Sequence, residues 1–274
     1  MTRDRAIGVF DSGVGGLTVA RSLTERLPHE EIVYLGDTAR VPYGSKSAET
    51  VVRYSRMAAD FLMEQGVKLI VIACNTASAF ALETLQRQLP LPVLGVIGPG
   101  AQAAVSASRS RRIGVIGTLG TVRSGSYARA IAALDGGAAV TARACPLLVP
   151  LAEEGWVDDE VATAVARRYL RELQADAPDV DTLVLGCTHY PLLRPLLQRV
   201  ASEVFGREMT LVDSAHTTAE AAHAELQRLD LLRHDGGGSA LQCYVTDDAR
   251  IDEVGARFWG RALPSALRVD LKAT

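Results

Sequence analysis

Lysine is nearly absent from this chain of 274 residues, occurring only at Lys46, Lys68 and Lys272. None of these lysines lies in an obvious pocket-forming turn. The scarcity argues against a pyridoxal phosphate enzyme, because that cofactor needs a lysine nucleophile. Any chemistry at an amino acid α-carbon must then proceed without that electron sink.

Other features are also missing from the chain. No apolar run approaches the roughly 20 residues that span a bilayer, and the net charge of -3 gives no electrostatic footprint for nucleic acid. The four cysteines contain no Cys-x-x-Cys pair, which favours reduced thiols. We therefore expect a cytoplasmic enzyme that binds neither membrane nor nucleic acid and needs no cofactor and no metal.

Apolar strand-like runs alternate with amphipathic helical segments along the whole chain. This alternation predicts an α/β fold of parallel sheets flanked by helices. The start of the chain, residues 7–12, is echoed at 113–118, which suggests a duplicated architecture. We expect two pseudo-symmetric domains with an active site in the cleft between them, the first from 1–97 plus 211–274 and the second from 98–210.

Local patterns predict individual elements within these domains. Ser47 caps a strong amphipathic helix over 47–65 that Gly66 ends. Another helix is predicted over 77–89, and a single helix over 122–134. The glycine run 236–238 is predicted to be the most flexible point of the chain.

Two short runs place a cysteine directly after a buried strand. Val71 to Ala73 precedes Cys74, and Val184 to Gly186 precedes Cys187. A lone buried cysteine is most often a small core residue, but a helix N-terminus and nearby N–H donors favour a reactive thiolate. The matched placement of the two cysteines favours the functional interpretation, in which one thiol faces each side of a carbon atom.

The segment from Asp11 to Gly16 follows a strand and opens a helix, so its backbone N–H groups could hold an anion. Asp37 ends the second strand where a dinucleotide's ribose would bind, but Thr18 replaces the last glycine of that motif. A small carboxylate is therefore preferred to a nucleotide. Asp11 could assist Cys74 or simply cap the helix.

His189 stands two residues after Cys187 and can act as its proton partner. A zinc site would need further ligands at recognisable spacing, which the chain does not offer. Glu153 and Glu154 could reach the cleft, although the sequence alone favours solvent for both. Cys145 and Cys243 are interpreted as structural.

The polar loop 36–44 is rich in hydrogen-bonding groups and suggests a pocket wall, or else an ordinary surface loop with a proline turn. With the segments above it completes an ordered set of motifs that resembles the cofactor-independent aspartate and glutamate racemase family. The set runs through 11–18, 36–38 with 42–44, 73–77, 117–118, 186–192 and 212–214.

The resemblance implies a two-base interconversion of L- and D-glutamate that supplies D-glutamate for peptidoglycan. It implies that Cys74 takes the α-proton of the D enantiomer and Cys187 that of the L enantiomer, assisted by Asp11 and His189. The substrate would be held by a larger set of residues: Asp11, Ser12, Tyr43, Gly44, Asn75, Thr76, Thr188 and His189. Further candidates on the same ground are Glu153, Thr118 and Thr121.

Alternatives stay open at this point. The substrate could be aspartate or a hydantoin, since related folds place two cysteines likewise. The chain could also be a non-catalytic protein that binds a small anion. The expected partner is glutamate, and the sequence leaves open whether two copies form a homodimer.

Overall fold

Short apolar runs form parallel strands in this protein, whose computed structural model describes residues 2–235 and 240–272. The glycine run 236–238 lies outside the described residues. The helices and strands follow one another as β1 (Ile7–Asp11), α1 (Leu17–Arg26), β2 (Ile32–Gly36), α2 (Ala48–Glu64), β3 (Leu69–Ile72), α3 (Asn75–Gln88), β4 (Val93–Gly95), α4 (Ile97–Ala107), β5 (Arg112–Gly117), α5 (Leu119–Ser124), α6 (Ser126–Leu134), β6 (Ala139–Ala144), α7 (Leu148–Glu153), α8 (Glu160–Asp176), β7 (Thr182–Gly186), α9 (Arg194–Phe205), β8 (Thr210–Asp213), α10 (Ser214–Arg228), β9 (Leu241–Val245), α11 (Ile251–Trp259) and β10 (Ala266–Arg268). Short 3-10 turns occupy Thr38–Arg40, Tyr43–Ser45 and Tyr190–Leu193.

The described residues divide into two compact units. The first unit contains the chain up to Val96 and from Ala215 onward, and the second contains Ile97–Ser214. The strands of the first unit form a parallel sheet in the order β10-β9-β2-β1-β3-β4. Those of the second unit form a parallel sheet in the order β6-β5-β7-β8.

The two sheets share one topology. In each unit the first strand lies between the second and the third, and the fourth follows the third: β2-β1-β3-β4 and β6-β5-β7-β8. Helices connect successive strands, because parallel pairing needs a crossover connection. The predicted α/β class, with parallel sheets flanked by helices, is confirmed.

Burial explains why these runs form strands. Every residue of β1, β2, β3 and β7 is buried, as expected for strands covered by helices on both faces. The helix α2 begins as predicted, because the Ser47 side chain accepts a hydrogen bond from the Thr50 N–H at 3.3 Å. Gly66 follows the helix with φ +71°, a conformation that glycine adopts without a Cβ penalty.

The structure corrects the predicted helix over 122–134. Two helices, α5 and α6, replace it, and Gly125 between them has φ +64°. A helix through this residue would need a negative φ. The side chain of Thr118 starts α5 three residues earlier than predicted by accepting a hydrogen bond from the Thr121 N–H at 3.2 Å.

Helix α4 had no sequence signal, because it begins Ile-Gly-Pro-Gly. Proline is tolerated in the first turn of a helix, where its missing N–H costs nothing. A Cβ on Gly100 would lie 3.2 Å from the Tyr127 hydroxyl, so close packing against α6 explains this glycine. The short elements α7 and β10 were also not predicted.

None of the helices within 2–235 and 240–272 combines the length and the apolar character needed to cross a membrane.

Gly36 at the end of β2 should not tolerate a side chain, because a Cβ there would lie 2.4 Å from the Gly13 carbonyl oxygen. We expect Gly36→Ala to destabilise the protein by about 1–3 kcal/mol through this overpacking. Gly136→Ala is the control, since a Cβ at this exposed turn position would meet only the Ala132 carbonyl oxygen, at 4.0 Å. It should be neutral or stabilising by up to about 1 kcal/mol. Urea unfolding midpoints measure both effects, and equal midpoints would contradict the packing argument.

Candidate active site

Cys74 lies where β3 gives way to α3. It is the N-cap of α3, and its sulfur accepts a hydrogen bond from the Ala77 N–H at 3.4 Å. The thiol also faces Ser12, with 3.5 Å between Sγ and Oγ. Cys74 is a free thiol that is 6% exposed. A reduced sulfur therefore stands at a helix N-terminus, where N–H groups favour negative charge.

Asp11 reaches the same edge of the first sheet at the end of the neighbouring strand. Phe10 pairs with Ile72, and the Ala73 N–H donates to the Phe10 carbonyl at 2.9 Å, so Asp11 and Cys74 lie at adjacent strand ends. The Asp11 carboxylate accepts from the Gly13 N–H at 3.0 Å and is fully buried. It therefore holds the loop that carries Ser12.

Asn75 and Thr76 form the first turn of α3 and are 2% and 1% exposed. Buried polar side chains at a helix start require partners. Their position directly after Cys74 brings amide and hydroxyl groups to the same helix N-terminus.

The loop after β2 is built around a buried carboxylate. Asp37 is fully buried and accepts from the Tyr43 hydroxyl at 2.6 Å and from the Thr246 hydroxyl at 3.0 Å. Burial, followed by the charge of Asp37, raises the pKa of Tyr43 well above its ordinary value. The Tyr43 hydroxyl thus stays protonated and is committed to Asp37. Gly44 is half-buried in the 3-10 turn that Tyr43 begins.

The buried state of Asp37 disfavours the ribose role that the dinucleotide interpretation would give it. Thr246, at the end of β9, was not singled out by the sequence. A buried carboxylate such as Asp37 needs hydrogen-bond donors, but the periodicity of the sequence does not show that the strand before Thr246 supplies one.

Cys187 directly follows the last residue of β7 and is 5% exposed. Its sulfur lies 3.8 Å from Nδ1 of His189, and Nε2 of that ring lies 2.9 Å from Oε1 of Glu153. The Thr188 hydroxyl lies 3.4 Å from Nδ1. Cys187, His189 and Glu153 therefore form a continuous line of thiol, imidazole and carboxylate.

This arrangement corrects the preference for solvent at Glu153. Its side chain is 38% exposed but bonds His189, because Glu153 is the last residue of α7, which brings it within reach of the ring. The neighbouring Glu154 is exposed. Sequence alone cannot separate the two glutamates, since a helix in this segment was not predicted.

The surroundings of His189 favour its protonated form. Burial opposes the imidazolium, but the hydrogen bonds with Cys187 and Glu153 outweigh it and raise the pKa of His189 to about 10. A protonated ring donates from both nitrogens, so it can face the sulfur and the carboxylate at once.

Thr118 directly follows β5 and caps α5, and Thr121 lies in the first turn of that helix. Gly117 pairs with Gly186, so Thr118 and Cys187 follow neighbouring strand ends. The two threonine hydroxyls lie 3.0 Å apart. A Cβ on Gly186 would lie 2.9 Å from the Ile116 carbonyl oxygen, which explains why glycine precedes the cysteine.

The other two cysteines have different surroundings. Burial raises the pKa of the Cys243 thiol to about 12, and it also raises that of Cys145. The Cys145 thiol faces the Arg143 carbonyl at 3.5 Å. Both fit the structural role expected of them. Within the described ranges, no group of three or more His, Cys, Asp or Glu side chains is arranged to hold a metal ion.

The protein therefore has the parallel α/β architecture that the motifs predict, with a cysteine after the third strand of each unit. A model of the Asp/Glu/Hydantoin racemase family matches residues 9–222, and the chain belongs to this family. The resemblance seen in the sequence is thereby confirmed.

Particular relatives are glutamate racemases. The curated glutamate racemase of Geobacter metallireducens is 53% identical over 270 residues, which cover 98% of each chain. The crystal structure of glutamate racemase from Bacillus anthracis has a TM-score of 0.91, 38% identity and 98% coverage of each chain. That of Francisella tularensis, in complex with D-glutamate, has a TM-score of 0.90 and 34% identity, covering 99% of this chain and 100% of the other.

The Glu153 carboxylate should contribute to the high pKa of His189. We expect Glu153→Gln to lower the pKa of the ring by about one to three pH units, because a neutral amide replaces an opposite charge. Histidine carbon NMR shifts followed from pH 5 to 11 measure it. Glu154→Gln is the matched control and should leave the His189 titration in place. Indistinguishable curves for the two variants would contradict the assignment.

The same shift predicts how stability depends on pH. The pKa of His189 is raised from 6.5 to about 10 in the folded protein, so the unfolded chain loses this proton first. Its stabilising contribution is complete below pH 6.5 and is lost as pH rises toward 10. We expect the urea midpoint of the wild type to fall more steeply than that of His189→Gln across this window. Parallel profiles would contradict a charged His189.

Proposed function

We propose that this protein interconverts L-glutamate and D-glutamate without a cofactor, by removing the α-proton on one face and returning a proton on the other. The observation that carries the proposal is the equivalent placement of Cys74 and Cys187 after the third strand of each unit. Cys187 directly follows its strand, and Cys74 stands one residue beyond the end of its own. The relatives given above are glutamate racemases and are up to 53% identical to this chain, which supports glutamate as the substrate.

The proton balance defines the two directions. With L-glutamate, a Cys187 thiolate takes the α-proton and becomes a thiol, while the Cys74 thiol gives its proton to the opposite face and becomes a thiolate. With D-glutamate, the roles are reversed. One thiol and one thiolate must stand ready at the start of each turnover, so their titrations are coupled.

The surroundings of each sulfur suit this exchange differently. A His189 imidazolium can balance the charge of a Cys187 thiolate, because Cys187 and Glu153 together raise the pKa of that ring. On the other side, Cys74 has the Ala77 N–H and the Ser12 hydroxyl as neighbours, with Asp11 on the adjacent strand end. We propose His189 and Asp11 as the assisting groups of the two thiols.

The carbanion between the two proton transfers needs electrostatic stabilisation, because no electron sink is expected. Fixed donors in a site that excludes water supply this stabilisation most effectively. We propose that the substrate carboxylates and ammonium are held by a set of polar residues: Asp11, Ser12, Tyr43, Gly44, Asn75, Thr76, Thr188 and His189, with Glu153, Thr118 and Thr121 as further candidates. Tyr43 would contact the substrate through its backbone, because its hydroxyl donates to Asp37.

The proposed role is the supply of D-glutamate for peptidoglycan, in the cytoplasm. Aspartate and hydantoins are the competing substrates, because the family model includes enzymes that act on them.

The reaction itself can be tested in heavy water. Incubation with either enantiomer of glutamate should give the opposite enantiomer carrying deuterium at the α-carbon, followed by optical rotation and mass spectrometry. Aspartate in parallel reactions tests specificity. Unlabelled and unchanged glutamate in both directions, from folded and reduced protein, would remove the proposal, and turnover of aspartate alone would reassign the substrate.

Serine substitutions separate the chemistry of the thiols from their structural role. Cys74→Ser and Cys187→Ser should each lower kcat by at least about a thousandfold, because an alcohol is a far weaker acid than a thiol and cannot serve as the base. Cys74→Ser should keep its thermal midpoint, since serine is a good N-cap. Cys243→Ala and Cys145→Ala are the matched controls and should retain turnover. Full activity in either serine variant would refute the two-base scheme.

A further inference from the structure

We propose that Thr246, at the carboxyl end of β9, is a positioning residue that fixes the loop 37–44 through Asp37 and thereby sets the affinity for substrate. The inference rests on the proposed function, because Tyr43 and Gly44 of that loop are proposed to contact the substrate. Thr246 itself belongs to none of the sequence motifs described above.

The register of the sheet brings Thr246 to Asp37. Gly36 pairs with Val245, so Asp37 and Thr246 are the next residues on neighbouring strands. The Thr246 N–H donates to the Gly36 carbonyl at 3.1 Å. The Thr246 hydroxyl then donates to Oδ1 of Asp37 at 3.0 Å and accepts from the Ala39 N–H at 2.9 Å. One hydroxyl thus joins the strand, the carboxylate and the loop backbone.

The Thr246 hydroxyl matters because Asp37 is fully buried. A buried carboxylate needs donors to offset its loss of water. Oδ1 receives the Thr246 hydroxyl and Oδ2 receives the Tyr43 hydroxyl at 2.6 Å, while Arg40 lies more distant at 3.4 Å. The carboxylate is therefore aligned between Thr246 on one side and Tyr43 on the other.

Tyr43 transmits this alignment to the substrate side of the loop. Its side chain is 1% exposed and belongs to the same buried cluster as Cys74. Its hydroxyl is fixed by Asp37, and its backbone begins the 3-10 turn that continues through Gly44. A shift of Asp37 would accordingly displace the turn that is proposed to face the substrate.

Thr38 provides a matched control within the same loop. Its hydroxyl donates to the Asp247 carbonyl at 2.6 Å and accepts from the Asp247 N–H at 2.8 Å. It therefore ties the loop to the same segment of chain without bonding Asp37. Comparing the two threonines distinguishes the alignment of Asp37 from simple anchoring of the loop.

The experiment uses the full-length protein with Thr246→Val, Thr246→Ser and Thr38→Val. Valine keeps the shape of threonine but removes the hydroxyl, while serine keeps it. We expect Thr246→Val to raise KM for both glutamate enantiomers by about tenfold, the effect of one hydrogen bond to a charged group. Its kcat should stay within about threefold, since binding and not proton transfer is affected. Thr246→Ser and Thr38→Val should keep KM within about twofold.

Amide hydrogen exchange gives a readout that does not depend on turnover. Peptides covering 37–46 should exchange faster in Thr246→Val and at the wild-type rate in Thr246→Ser. A wild-type protein that does not racemise glutamate would overturn the proposed function, while the exchange data would still decide whether Thr246 holds the loop. A racemising protein whose Thr246→Val variant keeps the wild-type KM would overturn this inference alone. An equal rise of KM in Thr38→Val would also overturn it, in favour of simple anchoring.

Discussion

Parallel pairing of the first and third strands is the constraint on which each half of this protein depends. In the first unit it sets Asp11 beside the residues that lead to Cys74, and in the second it sets Thr118 beside Cys187. Parallel strands end at the same edge of a sheet, so side chains far apart in sequence become neighbours there. A slip of one residue would turn the strand side chains to the opposite face and disturb this edge.

The same constraint leaves the two sulfurs in chemically different settings. Cys187 adjoins a charged imidazole held by Glu153, whereas Cys74 adjoins a helix N–H and the Ser12 hydroxyl. A full charge interacts more strongly than a neutral dipole. Under the proposed two-base reaction, the two directions therefore draw on different electrostatic support, although the topology of the units is repeated.

The sequence predicts much of this arrangement, because strand ends and caps have local signals. The apolar runs before Cys74 and Cys187 mark the strands, and the cap at Ser47 marks α2. The pairing of His189 with Cys187 follows from their spacing. Glu153 and Thr246 could not be derived in this way, because their contacts depend on tertiary register. Helix α4 was missed because its first turn consists of residues that local propensity assigns to loops.

Cys74 shows where local stability and the proposed chemistry diverge. Serine, threonine, aspartate and asparagine are the favoured N-caps, because their oxygens accept the free N–H groups of the first turn. Sulfur is a weaker acceptor, and the contact of Cys74 with the Ala77 N–H is 3.4 Å long. A chain selected for helix stability alone would place an oxygen here. A sulfur at this cap is explained when the same N–H groups stabilise a thiolate during proton transfer, which an alcohol could not perform near neutral pH.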